Sequence, residues 1–253
     1  MIVGLEHFSN FFRDFDQYYV VVGGVAATLL LEKENLEFRA TKDIDLVLVS
    51  SNNEEILSRL VDYIKLAKYK IQQKGSGKNV FYRFKEPSDK KYPFQIEIFH
   101  KKPEGIKLIE GQHLVPIKDE VDGIGLSAIL LEEEYFDLVK NNVEIAKGIP
   151  ITTTAATIIL KARAYNDLTD RKNSGDQVDV KDINKHRGDI FRLTQILTET
   201  ENMTLRGLPR THLDRFVADI DSLSEVHINQ IFKNLKIGLT KKDWLDSIRN
   251  YFI

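Results

Sequence analysis

The stretch RATKDIDLVLV, residues 39–49, decides the fold, because it opens an apolar strand with two acidic residues two positions apart. Side chains alternate between the two faces of a strand, so Asp43 and Asp45 share one face while Ile44 and Leu46 lie on the other. Carboxylates about 7 Å apart repel each other, and a divalent cation relieves that repulsion. The pattern therefore predicts a pair of magnesium ligands or, as the plainer alternative, two solvated acids at a strand end.

A glycine pair upstream favours the first alternative. Tyr18–Val22 is an aromatic and β-branched run typical of a strand, Gly23 and Gly24 follow it, and the next residues have helix-forming composition. Glycines at a helix start let a ligand approach the backbone, and helix N–H groups can then face a phosphate, although the same glycines could serve only a turn. Arg39 and Thr41 lie in the connection to the acidic strand. The ordered series is strand, Gly-Gly, helix and Asp-x-Asp strand.

A third acid lies on a later predicted strand, Phe94–His100. In this strand Glu97 lies on the face opposite Phe94, Ile96 and Ile98. A third metal ligand would be needed at such a position, so Glu97 is the candidate.

The remaining patterns of the first half predict further strands and one helix. Residues 53–69 keep apolar side chains at helical spacing, and Asn79–Lys85 has strand composition. Short strands are expected at Ile106–Ile109 and Leu114–Ile117. The segment GLSAILLEEEYFDLVKNN, residues 125–142, is compatible with either a strand or a helix.

The composition changes near residue 150. Helical patterns dominate after it, and a run of threonines can cap a helix that begins near Ala155. We therefore predict an α+β protein in which residues 1–150 form an α/β domain with a mixed sheet and residues 151–253 form a helical domain.

Composition excludes several classes of function. The 253 residues include no cysteine, which rules out disulfides, thiolate-ligated zinc and a cysteine nucleophile. No apolar run is long enough to span a membrane, so a cytoplasmic protein without a membrane partner is expected. The formal net charge of −2 does not attract nucleic acid, so any such contact requires a local basic patch.

The positions Gly23-Gly24, Asp43, Asp45 and Glu97 together resemble the nucleotidyltransferase superfamily of DNA polymerase β, kanamycin nucleotidyltransferase and the AbiEii-type toxins. The string from Arg39 to Leu46 looks most like the AbiEii branch. The resemblance implies a minimal nucleotidyltransferase α/β domain followed by a helical domain. It also implies Mg²⁺ or Mn²⁺ as cofactor and a nucleoside triphosphate as substrate.

The resemblance also implies roles for the residues. Asp43, Asp45 and Glu97 would hold the metal ions, and Glu97 could also act as the base. The nucleotide would be bound by a second set of positions: Gly23, Gly24, Arg39 and Thr41.

Past residue 150 the resemblance extends to the helices. Lys161 would contact the nucleotide as part of the catalytic set, and Lys181 and Asp182 would form a further binding element. The second acidic position of that element falls at Asp182 or at Asp189. The plainer alternative for Lys161 is a charged residue at the edge of a buried helix, and for Lys181 it is a solvated helix face.

The implied activity is transfer of a nucleoside monophosphate to an acceptor hydroxyl. In AbiEii-like systems the acceptor is implied to be RNA, commonly a tRNA end, and the enzyme is a toxin with a separate antitoxin. The alternatives are a nucleotidyltransferase that modifies an antibiotic or another small molecule, a non-catalytic nucleotide-binding protein, and a scaffold that keeps the fold without the reaction.

Overall fold

The computed structural model describes residues 2–50, 54–73, 79–101, 114–121, 124–198 and 200–253. These residues contain many helices and a mixed β-sheet, which confirms the predicted α+β class. The strand predicted at Ile106–Ile109 lies outside the described residues. None of the helices in the described part of the chain is long and apolar enough to cross a membrane.

The strands lie between Tyr19 and Thr152, and the helices lie between Leu5 and Tyr251. The strands are β1 (Tyr19–Val22), β2 (Asp43–Leu48), β3 (Lys70–Gln73), β4 (Asn79–Lys85), β5 (Gln95–Lys101), β6 (Leu114–Val121), β7 (Ile124–Leu131), β8 (Val143–Ala146) and β9 (Ile149–Thr152). The helices are α1 (Leu5–Phe11), α2 (Gly23–Lys33), α3 (Glu54–Ala67), α4 (Glu133–Asn141), α5 (Thr154–Asn173), α6 (Val180–Thr194), α7 (Gly207–Ser222), α8 (Glu225–Leu235) and α9 (Lys241–Tyr251).

The chain divides into two compact units. The first comprises Met1–Leu29 and Phe38–Thr152, and it contains the described strands. The second comprises Leu30–Glu37 and Thr153–Ile253 and is helical. The second unit therefore includes a short segment from the N-terminal half of the chain, which the sequence does not indicate.

Strand β2 lies inside the sheet, between β1, which is antiparallel to it, and β5, which is parallel. The main path runs β3-β4-β5-β2-β1-β9-β8, and β7 pairs with both β5 and β6. The side chains of Ile44, Leu46, Ile96 and Ile98 are fully buried on one face of β2 and β5. Burial of this apolar face holds the two strands in place and leaves the acidic positions on the other face.

Two local predictions need correction or completion. The ambiguous segment 125–142 forms both elements, because β7 ends at Leu131 and α4 begins at Glu133. The threonine run does not cap α5 through a side chain: Thr153 is the N-cap residue, but its buried Oγ1 has no hydrogen-bond partner within the described part of the chain. The β8–β9 hairpin was not predicted, and its turn uses two left-handed residues, Lys147 and Gly148.

A buried ion pair links α5 and α6 within the helical unit. The Nζ atom of Lys161 lies 2.9 Å from Oδ2 of Asp189, and the two residues are 4% and 0% exposed. Trp244 packs edge-on against Phe191 nearby in the same unit and donates from Nε1 to Thr194. A buried charge is tolerated only when it is paired, so each member of the Lys161–Asp189 pair depends on the other.

We expect Asp189→Ala to lower the free energy of unfolding by about 3–5 kcal/mol, because it leaves the Lys161 ammonium buried without its carboxylate. Asp182→Ala removes an exposed acid from the same helix and should cost less than about 1 kcal/mol. Urea denaturation followed by circular dichroism measures both. Equal losses of unfolding free energy in the two variants would show that the buried pair contributes no more to stability than an exposed acid does.

Candidate active site

Gly23 brings the start of α2 against the acidic strand. Its φ is +72°, a left-handed conformation that favours glycine. A Cβ atom at this position would lie 2.3 Å from Oδ2 of Asp45. The carboxylate of Asp45 therefore sits directly over the Gly23 backbone, and no other residue fits there without displacing it.

Gly24 makes a second close approach, to the connection between α2 and β2. A Cβ atom on Gly24 would lie 2.6 Å from Oγ1 of Thr41 and 3.6 Å from Nη2 of Arg39. The Thr41 hydroxyl and the Arg39 guanidinium thus lie close to the start of the helix. Such donors suit phosphate oxygens, so the geometry fits the predicted roles of Gly24, Arg39 and Thr41.

Strand register places the three predicted acids on one face of the sheet. Asp45 pairs with Glu97 across the parallel β2–β5 ladder, and Asp43 pairs with Gln95. Paired positions on neighbouring strands are about 5 Å apart and point to the same side. The structure therefore brings Asp43, Asp45 and Glu97 into one neighbourhood.

Asp43 carries an unsatisfied atom in this neighbourhood. Its Oδ1 is buried and, among the described residues, has no hydrogen-bond partner. A buried carboxylate oxygen without a donor is costly unless a proton or a cation satisfies it. Because carboxylate oxygens are preferred ligands of Mg²⁺, the residues present fit a divalent cation held by Asp43 and Asp45.

Glu97 is engaged by protein partners. Its Oε1 lies 2.6 Å from Nε of Arg83 and accepts a hydrogen bond of 2.7 Å from Nε2 of Gln95. The Arg83 contact is an ion pair rather than an aligned hydrogen bond, because the Nε–H bond does not point at the carboxylate. Both contacts use Oε1, so Oε2 is the atom available for other chemistry.

The arrangement of the three acids bears on the predicted metal site. Within the described ranges, no group of three or more His, Asp or Glu side chains is positioned to hold a metal ion together. The Glu97 carboxylate contacts Arg83 and Gln95. The three-acid metal site of Asp43, Asp45 and Glu97 stays a prediction.

The predicted residues of the helical unit have other surroundings. Lys161 is buried in its ion pair with Asp189. Lys181 and Asp182 are exposed in the first turn of α6, where the Lys181 N–H donates to the N-cap residue Asp179 and Asp182 lies 3.8 Å from Lys185. Their roles towards a nucleotide stay predictions.

Sequence reasoning missed Arg83 and Gln95. Gln95 lies two positions before Glu97 in β5, so alternation alone places it on the acidic face. Arg83 is the antiparallel partner of Glu97 in β4. The alternation in NVFYRFK was the available signal, because it puts Arg83 on the face opposite the buried Phe84.

Comparison with known proteins adds distant similarity in structure. No protein-family model matches the chain, and no curated protein sequence matches it. The chain is similar to the polyadenylate synthase of Megavirus, with 15% identity and a TM-score of 0.39 over 86% of this chain and 36% of that one. It is also similar to the antibiotic-resistance factor ANT(2'')-Ia, with 13% identity and a TM-score of 0.37 over 86% of this chain and 90% of that one. The chain thus spans about a third of the length of the polyadenylate synthase chain, and similarity at these values carries no conclusion about activity.

Proposed function

We propose that this protein is a metal-dependent nucleotidyltransferase, which moves a nucleoside monophosphate from a nucleoside triphosphate to an acceptor hydroxyl. The position of Asp45 carries the proposal. Its carboxylate lies against the backbone of Gly23 on one side and beside the paired position of Glu97 on the other. The Gly23-Gly24 turn, which is the proposed phosphate site, and a second acid thus flank one candidate metal ligand.

The metal would be held by Asp43 and Asp45, where the orphaned oxygen of Asp43 supports a cation. A bound Mg²⁺ or Mn²⁺ would neutralise the charge that develops on the phosphates. The chain's own contribution is placement. Two carboxylates lie on one strand face with a helix start beside them, and together they would hold a triphosphate at a fixed position.

The remaining residues have separable tasks in the proposed reaction. Arg39, Thr41 and the N–H groups of the Gly23-Gly24 turn would bind the phosphates. The acceptor oxygen would attack the α-phosphorus, the bond to the β-phosphate oxygen would break, and pyrophosphate would leave. Glu97 would take the proton of the acceptor hydroxyl through Oε2, while Arg83 and Gln95 hold Oε1.

The finer assignment is an AbiEii-type toxin that acts on RNA or tRNA in the cytoplasm and is restrained by a separate antitoxin. The string from Arg39 to Leu46 supports it, and a small neighbouring gene for a helix-turn-helix protein would support it further. An antibiotic-modifying enzyme would instead label an aminoglycoside. A non-catalytic nucleotide-binding protein would bind nucleoside triphosphate and label nothing.

Asp45→Asn should reduce transfer of label from radioactive nucleoside triphosphates to total cellular RNA by more than about 100-fold, because the amide removes a charged metal ligand. The melting temperature should be unchanged or higher, since repulsion with Asp43 is relieved. The matched control is Asp137→Asn on α4, an exposed acid outside the site, which should keep full activity. If wild type and Asp45→Asn label RNA, protein and aminoglycosides equally poorly, the enzyme proposal fails.

Binding of nucleoside triphosphate should depend on the metal. Isothermal titration calorimetry should detect binding with Mg²⁺ or Mn²⁺ and lose it when a chelator is added, since the triphosphate would otherwise face two carboxylates. Affinity that survives chelation unchanged would contradict the role of Asp43 and Asp45.

Gly23→Ala should abolish triphosphate binding at a modest cost in stability. The new methyl group would meet the Asp45 carboxylate and displace it. Gly175→Ala is the matched control, because Gly175 also has a left-handed φ, +93°, but a Cβ atom added there would meet nothing within 4 Å. Both variants should lose about 1–2 kcal/mol of stability from backbone strain. Only Gly23→Ala should lose binding in calorimetry, and a Gly23→Ala protein that binds as wild type does would refute the close-packed site.

A further inference from the structure

The acidic face of the sheet continues into a basic one. Across the antiparallel β4–β5 ladder, Arg83 pairs with Glu97 and Lys85 pairs with Gln95. Across the antiparallel β3–β4 ladder, Lys70 pairs with Lys85. Directly paired positions point to the same face, so these three cations share the face that carries the predicted metal ligands.

The burial of the intervening residues supports this assignment. Phe84 and Ile96 are fully buried, whereas Arg83 and Lys85 are partly exposed and Lys70 is exposed. The strand β4 therefore directs its aromatic side chain into the core and its two cations to the opposite face. We call Arg83, Lys85 and Lys70 the basic ledge.

The ledge and the Gly-Gly turn lie on opposite sides of the Asp-x-Asp strand. The turn follows β1, which borders β2 on one side, and β5 followed by β4 borders it on the other. With strands about 5 Å apart, Lys85 is about 10 Å from Asp43 at the backbone, within reach of a lysine side chain and one ligand group. If the turn holds the triphosphate, the attacking group must approach from elsewhere, and the ledge flanks the other side.

We propose that the basic ledge is the acceptor subsite and that it binds a phosphate group of the acceptor, so that the acceptor is an oligoribonucleotide rather than a cationic antibiotic. This inference rests on the proposed function and narrows its substrate class. Cations beside the attacking hydroxyl attract a phosphodiester backbone and repel a polyamine. A site for a polycationic acceptor would need acids at these positions.

Arg83 can contact both Glu97 and a phosphate group of the acceptor. Its ion pair with Glu97 uses Nε, and a guanidinium carries five N–H donors. The terminal nitrogens can therefore donate to phosphate oxygens while Nε continues to hold the Glu97 carboxylate. Arg83 is thus a positioning residue that ties the acceptor phosphate to the proposed base.

Two acids pair with members of the ledge and reduce its charge: Glu97 contacts Arg83, and Glu86 contacts Lys70. Glu86 accepts a hydrogen bond of 2.6 Å from Lys70, and this contact lowers the pKa of the Glu86 carboxyl. Both side chains are more than half exposed, so the pair is weak and a phosphate can compete for Lys70. Once a bound metal neutralises the two aspartates of β2, the three cations of the ledge outnumber the two acids that pair with them, so the local field would attract a polyanion although the net charge of the chain is −2.

The test is equilibrium binding of a fluorescein-labelled single-stranded oligoribonucleotide to the 253-residue chain, measured by anisotropy over a range of salt concentrations. Lys85→Gln should weaken binding for all RNA sequences alike and lower the slope of log K against log [salt] by about 0.7 for the lost phosphate contact. Lys140→Gln on α4 removes an exposed lysine of the same unit and should change neither value. Melting temperatures confirm that both variants fold.

Competition experiments distinguish an RNA backbone from a free mononucleotide as the source of the bound phosphate. Displacement of the labelled RNA by unlabelled RNA, but not by uridine 5'-monophosphate, supports the oligoribonucleotide acceptor. Three results would each overturn the oligoribonucleotide acceptor. The mononucleotide could displace the labelled RNA as well as unlabelled RNA does, or RNA binding could be the same with and without Lys85. The third is that the protein binds an aminoglycoside and that Lys85→Gln strengthens this binding. If transfer is seen but RNA binding does not depend on Lys85, only this inference fails. If RNA binding depends on Lys85 but no acceptor is ever labelled, the ledge binds RNA, while the proposed function fails and with it the assignment of the ledge as an acceptor subsite.

Discussion

The parallel register between β2 and β5 is the constraint on which the proposed chemistry depends. A slip of one residue would turn Asp45 into the core and expose Ile44, because side chains alternate along a strand. The complete burial of Ile44 and Ile96 resists such a slip. The free energy that fixes the acidic residues on one face thus comes from apolar packing on the other face, and no interaction between the acids is required.

The parts of the site that follow from local pattern were predictable. Alternation in DIDLVL separates acids from apolar residues, and a glycine pair between a strand and a helix indicates a close approach of the backbone. The structure adds what the approach is to: Asp45 for Gly23 and Thr41 for Gly24. The fold class was likewise predictable, since strand-like patterns occupy the first part of the chain and helical patterns the second.

Features that depend on strand order or on packing between helices were not predictable from one sequence. Arg83 meets Glu97 only because β4 turns back antiparallel onto β5, and the turn that joins the two strands does not reveal this pairing. Lys161 looks like one of many charged residues on a helix, yet α5 and α6 bury it opposite Asp189, 28 positions later. Burial of a charge is a property of tertiary packing, so the sequence does not reveal it. The ion pair explains the structural role of Lys161, and it does not test the predicted contact of Lys161 with a nucleotide.

The assignment of Leu30–Glu37 to the helical unit has a consequence for how the protein is made. The ribosome synthesises this segment more than a hundred residues before the rest of the same unit, which resumes at Thr153. Until then, Leu30 and Leu31, which are almost completely buried in the finished protein, lack the partners of their own unit. The C-terminal end of the helix that starts at the Gly-Gly turn therefore packs within its own unit only after Thr153 and the residues beyond it have been synthesised.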